Sequence, residues 1–149
     1  MKLKDSLNQL EETLELYFGK KAPAMPLGIK ETLANIGPWI LMIMLVLSVP
    51  GLLAAFGVGA ILSPLSYFYG SVSTGFNFIL SWIILVAVVV LEVKALPGLF
   101  KRQMSSWRLL FYASLLGSVQ SLVSLNILSF VVGSAISMYI LFQIKPLYK

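Results

Sequence analysis

The stretch EVKALPGLFKRQMSSWR, Glu92 to Arg108, concentrates charge in a chain that otherwise avoids it. Residues 32–91 on one side of it carry no charge, and neither do residues 109–144 on the other. The hydrocarbon core of a bilayer is about 30 Å thick and takes about 20 apolar residues to cross as a helix. Residues 109–144 in one helix would be roughly 54 Å long at about 1.5 Å per residue, too long for a single crossing at ordinary tilt. Each uncharged block therefore reads as two spans, and the charged stretch as the connection between the second and the third. Within it, LPG at residues 96–98 is expected to break the helix. Lys101, Arg102 and Arg108 form a basic anchor, and Trp107 marks the interface where the third span begins.

Composition points the same way. The 149 residues are 58% hydrophobic and 11% charged, with a mean hydropathy of +0.91. A soluble domain is about 45–50% apolar and about 25% charged, so both departures predict an integral membrane protein. The chain has no Cys and no His. Disulfides, thiolate metal sites, the commonest general base and the commonest metal ligand are thereby removed. There is no GxSxG, no Walker-type loop and no carboxylate pair within a span. No catalytic residue, metal or cofactor is assigned, and the chain is not expected to be an enzyme, the remote alternative being an enzyme acting on lipid through Glu92, Lys94 and Tyr and Ser residues near an interface. The basic runs KKAPAMP and FKRQ are short and lack a stacking platform, so nucleic acid is not an expected partner. The expected partners are the lipid bilayer and either a second copy or another membrane protein.

The fold class expected is all-α: an integral membrane four-helix bundle preceded by a short amphipathic N-terminal helix. Residues 32–149 form the transmembrane domain, with spans at about 36–62, 76–93, 107–124 and 127–144. Pro50 is expected to kink the first span, and Tyr67, Phe68 and Tyr69 fit an interfacial aromatic belt. Asn126 is expected to take the left-handed conformation in the last hairpin. With four spans, both termini and the 92–108 connection share one side. All eleven Lys and Arg fall there, and such an excess marks the cytoplasmic face. The expected location is the cell (inner) membrane, multi-pass, with both termini cytoplasmic.

Residues 1–19 read as a separate amphipathic helix, followed by a linker at 20–31. Leu3, Leu7, Leu10, Leu14 and Tyr17 lie on one stripe at alternating four- and three-residue steps. Gly19 is the expected C-cap, and Pro23 and Pro26 stop continuation. There is no apolar core of the kind a signal peptide has. The polar face carries Asp5, Glu11, Glu12 and Glu15, which anionic lipid would repel. Docking of the leucine stripe on the chain's own basic connection (Lys101, Arg102 and Arg108) or on a second copy is expected over lying flat on lipid.

Small residues recur every fourth position within the spans: Gly51, Ala55 and Gly59; Ala113, Gly117 and Ser121; Ser129, Gly133 and Ser137. Such stripes let helix backbones approach closely and are expected to serve packing. Two polar residues are candidates for something more. Glu92 lies near the end of span two and is expected to be an end residue, paired with Arg102 or Arg108, a transport or proton site being the alternative. Gln120 could bond across a helix interface.

The leading helix, the four spans, the LPGLFKR loop from Leu96 to Arg102 and the YILFQIKPLYK tail from Tyr139 to Lys149 form a recognisable plan. In it the chain resembles small uncharacterised four-span bacterial membrane proteins that carry no assigned activity. The resemblance implies a plan and no site residues. The expected role is association in the membrane, by self-assembly or as a small subunit of a complex. The alternative is a small transporter or channel component whose pore forms on oligomerisation.

Overall fold

The computed structural model describes residues 2–69, 72–123 and 125–149, with side chains outside residues 2–4, 55–56 and 58–78. Among the described residues there are five α-helices. Helix α1, Lys2–Leu14, continues into a π-helical segment, Glu15–Lys21; α2 is Leu27–Tyr69, α3 Val72–Phe100, α4 Met104–Val123 and α5 Ile127–Ile144, followed by a short 3-10 turn, Lys145–Leu147. Among the described residues, three segments are long and apolar enough to cross a membrane: Leu27–Ala54, Ile79–Phe100 and Ile127–Leu147. Helix α4 is not among them, because Arg108, Gln120 and a series of serines dilute its apolar content.

The helices outrun the spans expected from charge. Helix α2 has 43 residues, runs through Pro38 and Pro50, and starts at Leu27 rather than after residue 31. Lys30 and Glu31 limit what lipid can cover, but neither opposes helix formation. Pro26 instead opens the helix, its carbonyl accepting from the Ile29 and Lys30 amides at 3.0 and 3.1 Å. The LPG triplet does not break α3 either. Pro97 lies inside the helix, whose last turns are held by Ala95 and Leu99, both almost wholly buried.

Helices α3 and α4 are joined by a tight Schellman turn, and so are α4 and α5. At the first, Arg102 takes a left-handed φ of 52°, its amide bonds Leu99 O at 3.0 Å, and the Gln103 amide bonds Gly98 O at 2.8 Å. At the second, Leu125 has φ 54°, its amide bonds Leu122 O at 3.0 Å, and the Asn126 amide bonds Ser121 O at 3.0 Å. The left-handed residue is therefore Leu125, not Asn126. Asn126 is the N-cap of α5 instead, its Oδ1 accepting from the Ser129 amide at 3.1 Å. Gly98 has a reason of its own. A Cβ there would collide with Ser106 Oγ and stand 2.7 Å from Gln103 Oε1, so a larger residue would force Ser106 and Gln103 to move where α4 starts against α3.

Helix α4 packs between α3 and α5, and α2 lies against α3. The apolar core gathers at the end that holds the α3–α4 turn, the segment from Glu11 to Met25 and the last described residues of the chain. It comprises Ala34, Ala95, Leu99, Trp107, Phe111, Met138, Leu141, Phe142, Ile144 and Tyr148. Trp107 does not mark an interface. It is fully buried, its Nε1 donates to Leu141 O at 2.8 Å, and its ring stacks on Phe111 with centroids 5.7 Å apart. The Lys149 amide donates to Arg102 O at 2.9 Å and the Met104 amide to Lys149 O at 2.7 Å, which ties the chain's last described residue to the α3–α4 turn.

Candidate functional site

Two polar constellations stand out from this apolar molecule. The first closes the end that carries the core. Glu11 and Glu15 are one helical turn apart and so share a face. Lys145 Nζ donates to Glu11 Oε1 at 2.8 Å and to Glu15 Oε2 at 2.6 Å, and lies 4.9 Å from the Trp107 ring centroid. Arg108 Nε stands 3.7 Å from Glu11 Oε2. Gln143, 1% exposed, clamps the segment that follows: its Nε2 donates to Phe18 O at 3.0 Å, and its Oε1 accepts from the Met25 amide at 3.2 Å. The Tyr139 hydroxyl donates to Pro23 O at 2.6 Å. Burial pushes the nearby Tyr148 phenol above its ordinary range, and the charge on Arg102 opposes that shift.

The N-terminal segment thus packs on its own chain, but not by the full leucine stripe. Leu14 and Phe18 pack on the core, and Glu11 is buried between them and the cations. Leu10 and Tyr17 are largely exposed. The π-helical stretch explains the change of face. Its wider turn, closed by the Ala22 amide on Tyr17 O at 2.9 Å, advances the register, so Phe18 replaces Tyr17 on the inner side. Gly19 is accordingly not the C-cap, which is Ala22. Of the expected basic partners, Lys101 is exposed, Arg102 donates from Nη2 to Asn35 Oδ1 at 2.6 Å, and Arg108 alone faces this helix. The principal partner is Lys145 of the tail, whose place beside α1 no sequence pattern predicts. Its only mark in the sequence is that it is the first charge after residues 109–144.

The second constellation lies within the helices. Glu92 on α3 borders a cavity of about 290 Å³ whose other walls are α4 and α5. Ser114, Ser118 and Ser121 of α4 and Ser129, Ser134 and Ser137 of α5 line it. Ser118 and Ser134 meet across it, Oγ to Oγ at 2.7 Å. Glu92 also borders a second, mainly apolar cavity of about 650 Å³, which reaches α2 at Gly37, Leu41 and Met44. Val88, Glu92, Ser114 and Ser137 belong to both. The expected pairing of Glu92 with Arg102 or Arg108 does not form, since those side chains face Asn35 and Glu11. Lys94, two residues on, is exposed and points away from the Glu92 face.

The small-residue stripes of α4 and α5 belong to this cavity. Ala113, Gly117, Ser121, Ser129, Gly133 and Ser137 all line it. Within one chain Gly51, Gly117 and Gly133 are not points of close backbone contact, for a Cβ on any of them would meet nothing within 4 Å. The side chains of Ala55 and Gly59, like those of Tyr67, Phe68 and Tyr69, lie outside the described residues. Gln120 is half-buried on α4 and does not line either cavity. Chemically, the cleft offers one carboxylate and several hydroxyls. Comparison with known proteins finds no matching family model, no matching curated protein and no matching solved structure.

Proposed function

We propose that this is a small multi-pass protein of the cell (inner) membrane that acts by helix association, with a second copy or as a small subunit of a membrane assembly. In this reading α2, α3, α4 and α5 all cross the bilayer. Helix α4 is too polar to be recognised by its own composition, but the two tight turns and its place between α3 and α5 support a fourth crossing. Lys101, Arg102, Arg108, Lys145 and Lys149 gather at one end, which supports a cytoplasmic position for that end and for both termini.

The observation that carries the association reading is on α5. Ser129, Gly133 and Ser137 are exposed on one face, and the space over Gly133 is empty within one chain. Small side chains gain little from contact with lipid tails, whereas they permit close approach of another helix. The test is the protein mass of the detergent-solubilised particle. A multiple of 16.4 kDa, reduced to one chain by Gly133→Leu with helix content unchanged, is the expected result. A wild-type particle containing a single chain overturns the reading. One observation favours a second reading, a small transporter or channel component: Glu92 lies in the cleft without a charged partner among the described residues. Solute flux into proteoliposomes that is lost in Glu92→Gln would support that reading.

A further inference from the structure

We propose that the cleft at Glu92 binds an amphipathic primary amine, with the ammonium group on the carboxylate and the hydrocarbon tail in the adjoining apolar cavity. The first ground is depth. Glu92 lies about 12 Å along α3 from Phe100, at about 1.5 Å per residue. Ser137, which shares its cavities, lies about 12 Å along α5 from Lys145 by the same rise. If those basic ends stand at the bilayer surface, Glu92 is well inside the hydrocarbon, where an ionisable side chain is costly and most often serves a ligand or ion. The local cations do not neutralise it. Arg102 bonds Asn35, Arg108 and Lys145 face Glu11, and Lys94 is exposed.

The second ground is the chemistry of the walls. The cavity of about 290 Å³ presents carboxylate and hydroxyl oxygens, which accept hydrogen bonds from an ammonium group. None of its described lining residues is aromatic, so among them there are no rings of the kind that hold a quaternary ammonium ion. A cation that brings its own N–H donors fits better. The volume is also far larger than a bare metal ion needs, since one water occupies only about 30 Å³ of liquid.

The third ground is the junction. Glu92 is shared with the cavity of about 650 Å³, where Leu41, Met44, Leu85 and Ile140 form apolar walls. A molecule with a cationic head and an aliphatic tail satisfies both compartments at once, and neither an inorganic cation nor a neutral hydrocarbon does so. This inference goes beyond helix association, and its first ground rests on the membrane placement proposed above; the walls come from one chain, and binding is read separately from particle mass and from labelling of the two ends.

The test uses the full-length protein in phosphatidylcholine nanodiscs, with radiolabelled octylamine followed by equilibrium dialysis against empty nanodiscs. The expected result is saturable binding, displaced by unlabelled octylamine but not by octanol, octanoate or sodium chloride at matched ionic strength. Glu92→Gln should weaken it at least about tenfold, the scale of a lost charge-assisted contact. Ser137→Val keeps the carboxylate and removes one hydroxyl from the junction, and should weaken binding about fivefold. Far-UV circular dichroism establishes which variants are folded. Unchanged affinity in whichever variant folds overturns the proposal. Equal displacement by octanol would show an apolar groove alone, and displacement by sodium an inorganic cation site. Either result overturns it.

Discussion

Lys145 Nζ stands 2.8 Å from Glu11 Oε1, joining the first helix of the chain to the end of the last. The Glu11 side chain is only 8% exposed and that of Lys145 16%, so neither is well hydrated. Removing the cation leaves a buried carboxylate with only the longer contact to Arg108. Breaking such a pair typically costs about 3–5 kcal/mol when fully buried. The residual exposure and the retained Arg108 argue for a smaller local cost, about 1–3 kcal/mol by the same reasoning. In Lys145→Met the N-terminal segment should detach while α2–α5 persist, and trypsin should cut after Lys20 and Lys21 much faster than in the wild type. Glu15→Gln should have a weaker effect, because that side chain is 37% exposed.

Gln143→Leu should loosen the same segment by a different route. The substitution orphans the Phe18 carbonyl and the Met25 amide, each worth about 1–3 kcal/mol if it remains buried without a partner. Hydrogen–deuterium exchange at the Met25 amide should accelerate at least tenfold. Unchanged exchange would show that the amide does not depend on Gln143.

Gly98→Ala should be the most damaging glycine substitution among the described residues. Its Cβ would run into Ser106 and approach Gln103 Oε1 to 2.7 Å, whereas alanine at Gly117 or Gly133 meets open space. Overpacking of this kind costs about 1–3 kcal/mol. Thermal unfolding in detergent should show a clear loss for Gly98→Ala, little change for Gly117→Ala, and partial recovery in Gly98→Ala combined with Ser106→Gly.

Leu125→Gly should raise stability by about 0.5–1 kcal/mol, the left-handed strain of a branched residue less the added freedom of glycine in the unfolded chain. Leu125 is 84% exposed, so little packing is lost. Arg102→Gly relieves the same strain but loses the hydrogen bond to Asn35, and should not stabilise.

These sites also show what the sequence could and could not reveal. The uncharged blocks and the Glu92–Arg108 connection marked out α3, α4 and α5, because charge and hydropathy are local properties. Charge limits lipid coverage and not helix length, so α2 begins at Leu27, ahead of Lys30 and Glu31, while the buried turns at Ala95 and Leu99 carry α3 past Pro97. Leu125 rather than Asn126 is left-handed because the end of α4 fixes which residue must turn, whatever its intrinsic preference. The leucine stripe assumed ordinary helical spacing, and the π-helical turn at Glu15–Lys21 substituted Phe18 for Tyr17. The serine spacing was visible, but what it faces is a tertiary fact: the empty space above Gly117 and Gly133 and the convergence on Glu92 depend on how three helices lean together.

Cysteine labelling tests the four-span reading most directly, since the chain has no native Cys. Lys149 and Leu125 are both exposed and lie beyond opposite ends of α5. In intact cells, a membrane-impermeant maleimide should label Leu125→Cys and leave Lys149→Cys unlabelled until the membrane is opened. Labelling of Lys149→Cys from outside, or equal protection of both positions, would contradict the account.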